Sequence, residues 1–346
     1  MKVVTSFTAG AVSGESARSN DLAALIPDSV DFLFGASGWD DRCLALTTIS
    51  GLTAHRSAVL LFKDKGNSGR AKRNDVTIRD FYSSLGGESS EIEESAERLD
   101  TIWNAISALL VRAWHEKDAP LDILIDLSAC PRYLPLGVMA SGMDAGIIRR
   151  VRFLYNEAEY LDEQQPDLFT KGSWESVEIP GFAGAQNPGR PRRYVVSVGF
   201  EGAKTARFVN RADPDSLTIL FPSPGYRADY PARTWGQNRT LFADYGIKDL
   251  KSPGVVTAPA GDAIAGWKSL TEKHLERSDE ENVYYLCCGP KPHSLALALR
   301  AMASHAGAVI YPKPSAHRES EIHPSDEFWL YTIEDRSVPA TSSEAP

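Results

Sequence analysis

Two short turns in this chain concentrate residue types that handle anions. Asp126-Leu127-Ser128-Ala129-Cys130-Pro131-Arg132 and Cys287-Cys288-Gly289-Pro290-Lys291-Pro292-His293 each follow an apolar run and place small residues, a proline and then a cation. Small residues let backbone N–H groups approach an anion, and the N-terminus of a following helix favours negative charge. Arg132 or Lys291 would add a charge-assisted hydrogen bond, about 1.5–3 kcal/mol each when desolvated. The plainer alternative is a proline that only starts a helix, with a solvated cation after it. Ser128 and Gly289 join Arg132, Lys291 and His293 as candidate ligand contacts. Arg132, Lys291 and His293 are also the catalytic candidates if a bound ligand is cleaved.

A second pair of turns, Gly35-Ala36-Ser37-Gly38-Trp39-Asp40-Asp41-Arg42 and Gly199-Phe200-Glu201-Gly202-Ala203-Lys204-Thr205, also ends apolar runs. Ser37, Gly38, Asp40, Arg42, Glu201, Lys204 and Thr205 could offer hydroxyls, charges and backbone donors to a ligand, or simply cap helices. Neither turn is a G-x-G-x-x-G dinucleotide fingerprint. The polar stretches 63–79 and 222–239 hold Asn67, Arg70, Arg73 and Asn74, then Arg227, Arg233, Trp235, Asn238 and Arg239. Guanidinium forks and aromatic faces suit phosphates and stacked bases. Asp126, Glu157 and Glu159 at strand ends could act as general bases. Cys130 near Arg132 could be an activated thiol, although no histidine stands by it in sequence. His317, Glu319, Glu321 and His323 alternate, but their flanking prolines argue for a loop, and no metal or cofactor is expected. Walker, G-x-S-x-G and H-E-x-x-H patterns do not occur.

The paired turns resemble the equivalent motif of CARF (CRISPR-associated Rossmann fold) domains. In that family a strand runs into an Asp-hydrophobic-Thr/Ser-Gly-Gly-Thr-Lys-Pro-like turn and a helix rich in small apolar residues. IDLSACPRYLPLGVMASGMDAG and YLCCGPKPHSLALALRAMASHAG are similar to it. Ala129-Cys130 stands in place of the glycine pair, Arg132 follows its proline, and the second copy lacks the aspartate. The resemblance implies a nucleotide or cyclic oligonucleotide ligand at a twofold interface, a sensor role in antiviral defence and, for standalone relatives, a metal-independent phosphodiesterase activity.

The elements that would position these turns alternate. Apolar runs at 30–35, 57–62, 123–127 and 150–155 are separated by helical stretches, the strongest at 99–116, and the pattern restarts at 194–199, 217–221, 283–287 and 308–311. Alternation of this kind predicts parallel sheets flanked by helices. Gly35 and Gly199 stand 164 residues apart (199 − 35), as do Asn74 and Asn238, and Pro131 and Pro290 stand 159 apart (290 − 131). A near-constant offset marks an internal duplication. The expected fold is therefore α/β, two tandem Rossmann-like units with mainly parallel sheets related by a pseudo-twofold. The first unit would span 1–161, a connector 162–192 with a hairpin tip at Lys171-Gly172, the second unit 193–334, and a flexible tail 335–346.

The 346-residue chain has a formal charge of -9, which argues against broad nucleic-acid binding without excluding a local basic pocket. Four cysteines without a CxxC pair, no signal-peptide core and no apolar run long enough for a membrane helix fit a reduced, soluble, cytoplasmic protein. Two functions follow: a nucleotide sensor that acts on a protein partner, or a phosphodiesterase using the same pocket. A structural subunit with degenerate pockets is the third.

Overall fold

The computed structural model describes residues 3–7, 10–63, 69–95, 98–160, 170–182, 184, 186–273, 280–304, 307–320 and 322–335. Asn67, residues 162–169 of the expected connector and the tail from 336 lie outside them. The chain divides into two units, Met1–Ala158 with Ile322–Pro346, and Glu159–Glu321.

The first unit is built on five parallel strands: β3 (Ser29–Ser37), β4 (Thr53–Phe62), β5 (Glu88–Glu94), β6 (Leu121–Asp126) and β7 (Ile148–Tyr160). They lie in the order β7-β6-β3-β4-β5, and the remaining edge is extended by β14 (Ile322–Asp335), β2 (Gly10–Arg18) and β1 (Val3–Phe7). β2 pairs antiparallel with both β14 and β1. Residues 32–37 and 57–62 are buried without a break, as parallel strands covered on both faces require. The short α1 (Leu22–Leu25) precedes β3, α2 (Gly69–Ser84) and α3 (Leu99–Lys117) follow β4 and β5, and α4 (Tyr133–Asp144) joins β6 to β7. In α3, Leu99, Ile102, Ile106, Leu110 and Ala113 form the buried stripe, each large side chain contributing about 1.5–3 kcal/mol. Asp118 ends that helix in the left-handed region at φ 54°.

The second unit repeats the plan. β9 (Arg192–Ser197), β10 (Ser216–Pro222), β11 (Val255–Ala258), β12 (Asn282–Cys287) and β13 (Ala308–His317) are parallel, in the order β11-β10-β9-β12-β13. β8 (Thr170–Glu178) adds an antiparallel edge strand beside β13. Helices α5 (Gly202–Ala212), α6 (Tyr230–Gln237), α7 (Arg239–Asp244), α8 (Ala263–Lys273) and α9 (Lys291–Ser304) make the connections. The core of this unit gathers Val196, Val198, Val209, Ile219, Phe221, Leu241 and Leu286. Both units are thus Rossmann-like, with the same strand order.

Several boundaries differ from the sequence reading. The expected connector contains β8, which belongs to the second sheet, and Lys171-Gly172 lies within that strand rather than at a hairpin tip. The second unit does not extend to 334, because residues 322–335 cross back as β14 beside β7 of the first. From residue 69 the polar stretch 63–79 forms the first part of α2, and 222–239 holds α6 and the start of α7. The acidic segment Glu88–Glu94 is an edge strand, and the stretch between the runs 30–35 and 57–62, expected to be helical, holds a 3-10 segment, Asp41–Thr48. Among the described residues no helix is long and apolar enough to cross a membrane.

Candidate functional site

In an open parallel sheet, ligands bind beyond the carboxyl ends of the strands, where the strand order reverses. In the first sheet that reversal lies between β3 and β6, and in the second between β9 and β12. All four turns singled out from the sequence sit at these two places.

At the first reversal the polar groups are strongly tied to one another. Ser37, almost wholly buried, donates its hydroxyl to Asp75 Oδ1 at 2.5 Å. Arg42 is buried and grips Asp40 through Nε and Nη2, while Nη1 reaches the carbonyl of Asn156 at 3.3 Å. Asn74 donates to the carbonyl of Gly38 and to Asp41 Oδ1, both at 2.9 Å. On the β6 side, Ser128 N donates to Asp126 Oδ1 at 2.8 Å, and Ser128 Oγ accepts from Asn156 N at 2.9 Å. Burial and the Asp40 and Asp126 carboxylates hold the Cys43 thiol well above its usual range, and burial with Asp126 does the same to the Tyr82 hydroxyl. Arg132, the residue before α4, is partly exposed.

The second reversal is closed by backbone. A Cβ on Gly289 would stand 2.7 Å from the Val198 carbonyl and one on Gly199 3.1 Å from the Cys288 carbonyl, so only glycine lets the two turns meet. Gly289 N donates to Ser197 Oγ at 3.0 Å. Asn238, fully buried, donates Nδ2 to the carbonyls of Gly199 at 2.7 Å and Thr234 at 2.8 Å. It performs the task of Asn74 in the first unit, holding a carbonyl of the first turn. Lys291 opens α9 and is partly exposed, and Arg239 is exposed at the start of α7.

The structure reassigns several sequence candidates. Glu201 accepts from Thr170 N at 3.1 Å, Thr170 Oγ1 at 2.5 Å and Lys204 Nζ at 3.3 Å, while Lys204 also bonds both oxygens of Thr170. This buried knot ties β8 to α5 and leaves Glu201 and Lys204 as structural groups. Thr205 is buried and donates to the Glu201 carbonyl within α5. His293 is wholly buried, with Nε2 3.0 Å from the Pro259 carbonyl. Burial drives its pKa down to about 4 against the backbone carbonyls of Pro259, Ala258 and Leu220. It is a neutral core histidine, not an available proton donor. Ser37, Arg42, Ser128 and Asn238 are likewise committed internally, whereas Gly38, Asp40, Arg132, Arg227, Arg239 and Lys291 retain exposed surface.

Two clusters join residues that the sequence reading named only singly or not at all. Tyr160, Phe200 and Tyr230 pack edge-to-face or tilted in the second unit, with ring centroids 5.2–5.9 Å apart. The Arg233 guanidinium lies 4.3 Å over Phe200 and that of Arg227 5.5 Å over Tyr230. In the first unit Glu157 is buried on β7 and accepts from Trp329 Nε1 at 3.2 Å. Burial, then the Glu327 charge, raises its pKa to about 7, with Trp329 and Arg42 opposing. A hollow lined by Ser50, Gly51, Thr77, Asp80 and Phe81 lies at the amino end of β4, off the carboxyl edge. All four cysteines are thiols, and the described residues contain no cluster of His, Cys, Asp and Glu fit to hold a metal ion.

No protein-family model matches the chain, and neither does any curated protein.

Proposed function

We propose that this chain is a nucleotide-binding module of the second-messenger-sensing kind, taking phosphate groups at the turns that open α4 and α9 and acting on a partner protein. One observation carries the reading. In both units a partly exposed cation, Arg132 or Lys291, stands where a helix opens beside the reversal of strand order. There the helix dipole and the side chain favour the same anion. Charge divides the two turns unequally. Around the first reversal stand Asp40, Asp41, Asp75 and Asp126, while Arg227, Arg233, Arg239 and Lys291 lie along the carboxyl edge of the second sheet. Carboxylates repel phosphate, so Lys291 is expected to contribute more than Arg132. Binding is favoured over cleavage because His293, the one histidine among the three catalytic candidates, is sealed in the core.

The test is thermal unfolding of the full chain against a panel of mono-, di- and cyclic oligonucleotides, with each incubation analysed by mass spectrometry. A specific ligand at about 100 times its Kd should stabilise by about 2.7 kcal/mol. Lys291→Ala should remove most of the rise in Tm, Arg132→Ala less of it, with the ligand recovered intact. No shift with any compound would refute the reading, and recovered cleavage products would replace the sensor with a phosphodiesterase.

A further inference from the structure

The carboxyl end of β7 carries a joint that nucleotide binding does not use. Asn156, fully buried, reaches β14 through two bonds from Nδ2, to the carbonyls of Ser325 and Glu327, each 3.0 Å. Its own N–H donates to Ser128 Oγ at 2.9 Å, and its carbonyl accepts from Arg42. The next residue, Glu157, touches the same strand through the Trp329 indole. The dipeptide Asn156-Glu157 therefore links β14 on one side to the turn before Arg132 on the other.

Every charged neighbour of Glu157 makes its ionised form unwelcome or does little to help. From β14 come the Glu327 carboxylate, a like charge, and a single neutral donor, Trp329 Nε1. From the 3-10 segment comes Arg42, whose guanidinium is already gripped by Asp40, with a shortest contact of 2.7 Å. On β6, the Asp126 carboxylate at the end of the strand accepts from Ser128 N. A carboxylate at Glu157 would thus be buried, singly hydrogen-bonded and beside another negative charge.

We propose that Glu157 is a protonation latch: neutral, it holds β14 against β7, and ionised, it loosens that join and, through Asn156, the Ser128 turn. The carboxyl changes state near neutral pH, since burial and Glu327 push it up to about 7. The latch needs no ligand, so it stands or falls apart from the nucleotide reading.

Hydrogen exchange read by mass spectrometry on the full chain, corrected for intrinsic rates, tests it at pH 5.5 and 8.5. Protection in peptides covering 322–335 and 125–132 should fall on the order of 10-fold to 100-fold at the higher pH, while α3 and the second unit change little. Glu157→Gln should keep the low-pH protection at both values. Glu327→Gln, which removes only the like charge, should move the midpoint of the transition to lower pH, because the ionised form of Glu157 then meets less repulsion. A midpoint unmoved or raised by Glu327→Gln, pH-independent protection in the wild type, or a dependence that survives Glu157→Gln would each overturn the latch. So would an equal loss of protection across both units. If Glu157→Gln does not fold, the midpoint of Glu327→Gln decides.

Discussion

Replacing His293 by glutamine measures directly whether that residue belongs to the core or to a site. Its ring is fully buried and its Nε2 stands 3.0 Å from the Pro259 carbonyl, a bond a glutamine amide can donate in its place. Burial lowers the pKa from 6.5 to about 4, which corresponds to about 3 kcal/mol of preference for the neutral form. The unfolded chain binds the proton below pH 6.5, the folded chain only near pH 4. The stability held by the neutral ring is therefore complete above pH 6.5 and is lost as pH falls toward 4. Glutamine does not titrate, so the variant lacks this loss. Between pH 7 and pH 4 the wild type should lose about 3 kcal/mol more than His293→Gln, roughly 6–12 °C in the melting of a unit this size. Calorimetric melts of both proteins at pH 7, 5.5 and 4 read the difference. Parallel losses in the two proteins would refute the burial argument. So would a variant that folds normally but can no longer turn over a nucleotide the wild type cleaves.

The buried asparagines give a second check. Asn238→Ala should destabilise by about 1–3 kcal/mol in urea unfolding, since it leaves the Gly199 and Thr234 carbonyls without their donor, and Asn74→Ala should do the same to the first unit through Gly38. Gly289→Ala forces a Cβ to within 2.7 Å of the Val198 carbonyl. It should lower the Tm of the second unit and weaken any ligand dependent on Lys291 more than Arg132→Ala does, and equal affinities in the two variants would count against the closed turn.

The repeated plan was legible because the central strands are continuous apolar runs, as at 57–62 and 217–221, which only a doubly covered sheet can bury. The equal offset of Asn74 and Asn238 was legible too, and it proved to mark a shared backbone clamp. What escaped has physical reasons. In β5 the edge position needs only Ile92 inside, so ESSEIEE carries no apolar period. In α2 the buried stripe is Ala71, Asn74, Ile78 and Tyr82, helical in spacing but half polar in composition. The fate of His293 was illegible because a proline followed by a cation reads the same whether the next side chain points to solvent or into the core. Lys204 and Glu201 looked available because their partner, Thr170, lies more than thirty residues away on β8.

The edge strands carry a consequence for biosynthesis. β8 follows β7 in the chain yet joins the second sheet, and β14 follows β13 yet joins the first. Each repeat thus donates its sixth strand to the other, the connectivity of a domain-swapped dimer fused into one polypeptide. During translation the first sheet is left with β7 and β2 lacking the strand between them until residues 322–335 have been made, after the whole second unit. Domains usually fold in order as they emerge. Here the unit that begins first is completed last, and an open strand edge waits through the synthesis of some 160 residues, a period in which it is a target for chaperones or for the same edge of a neighbouring nascent chain.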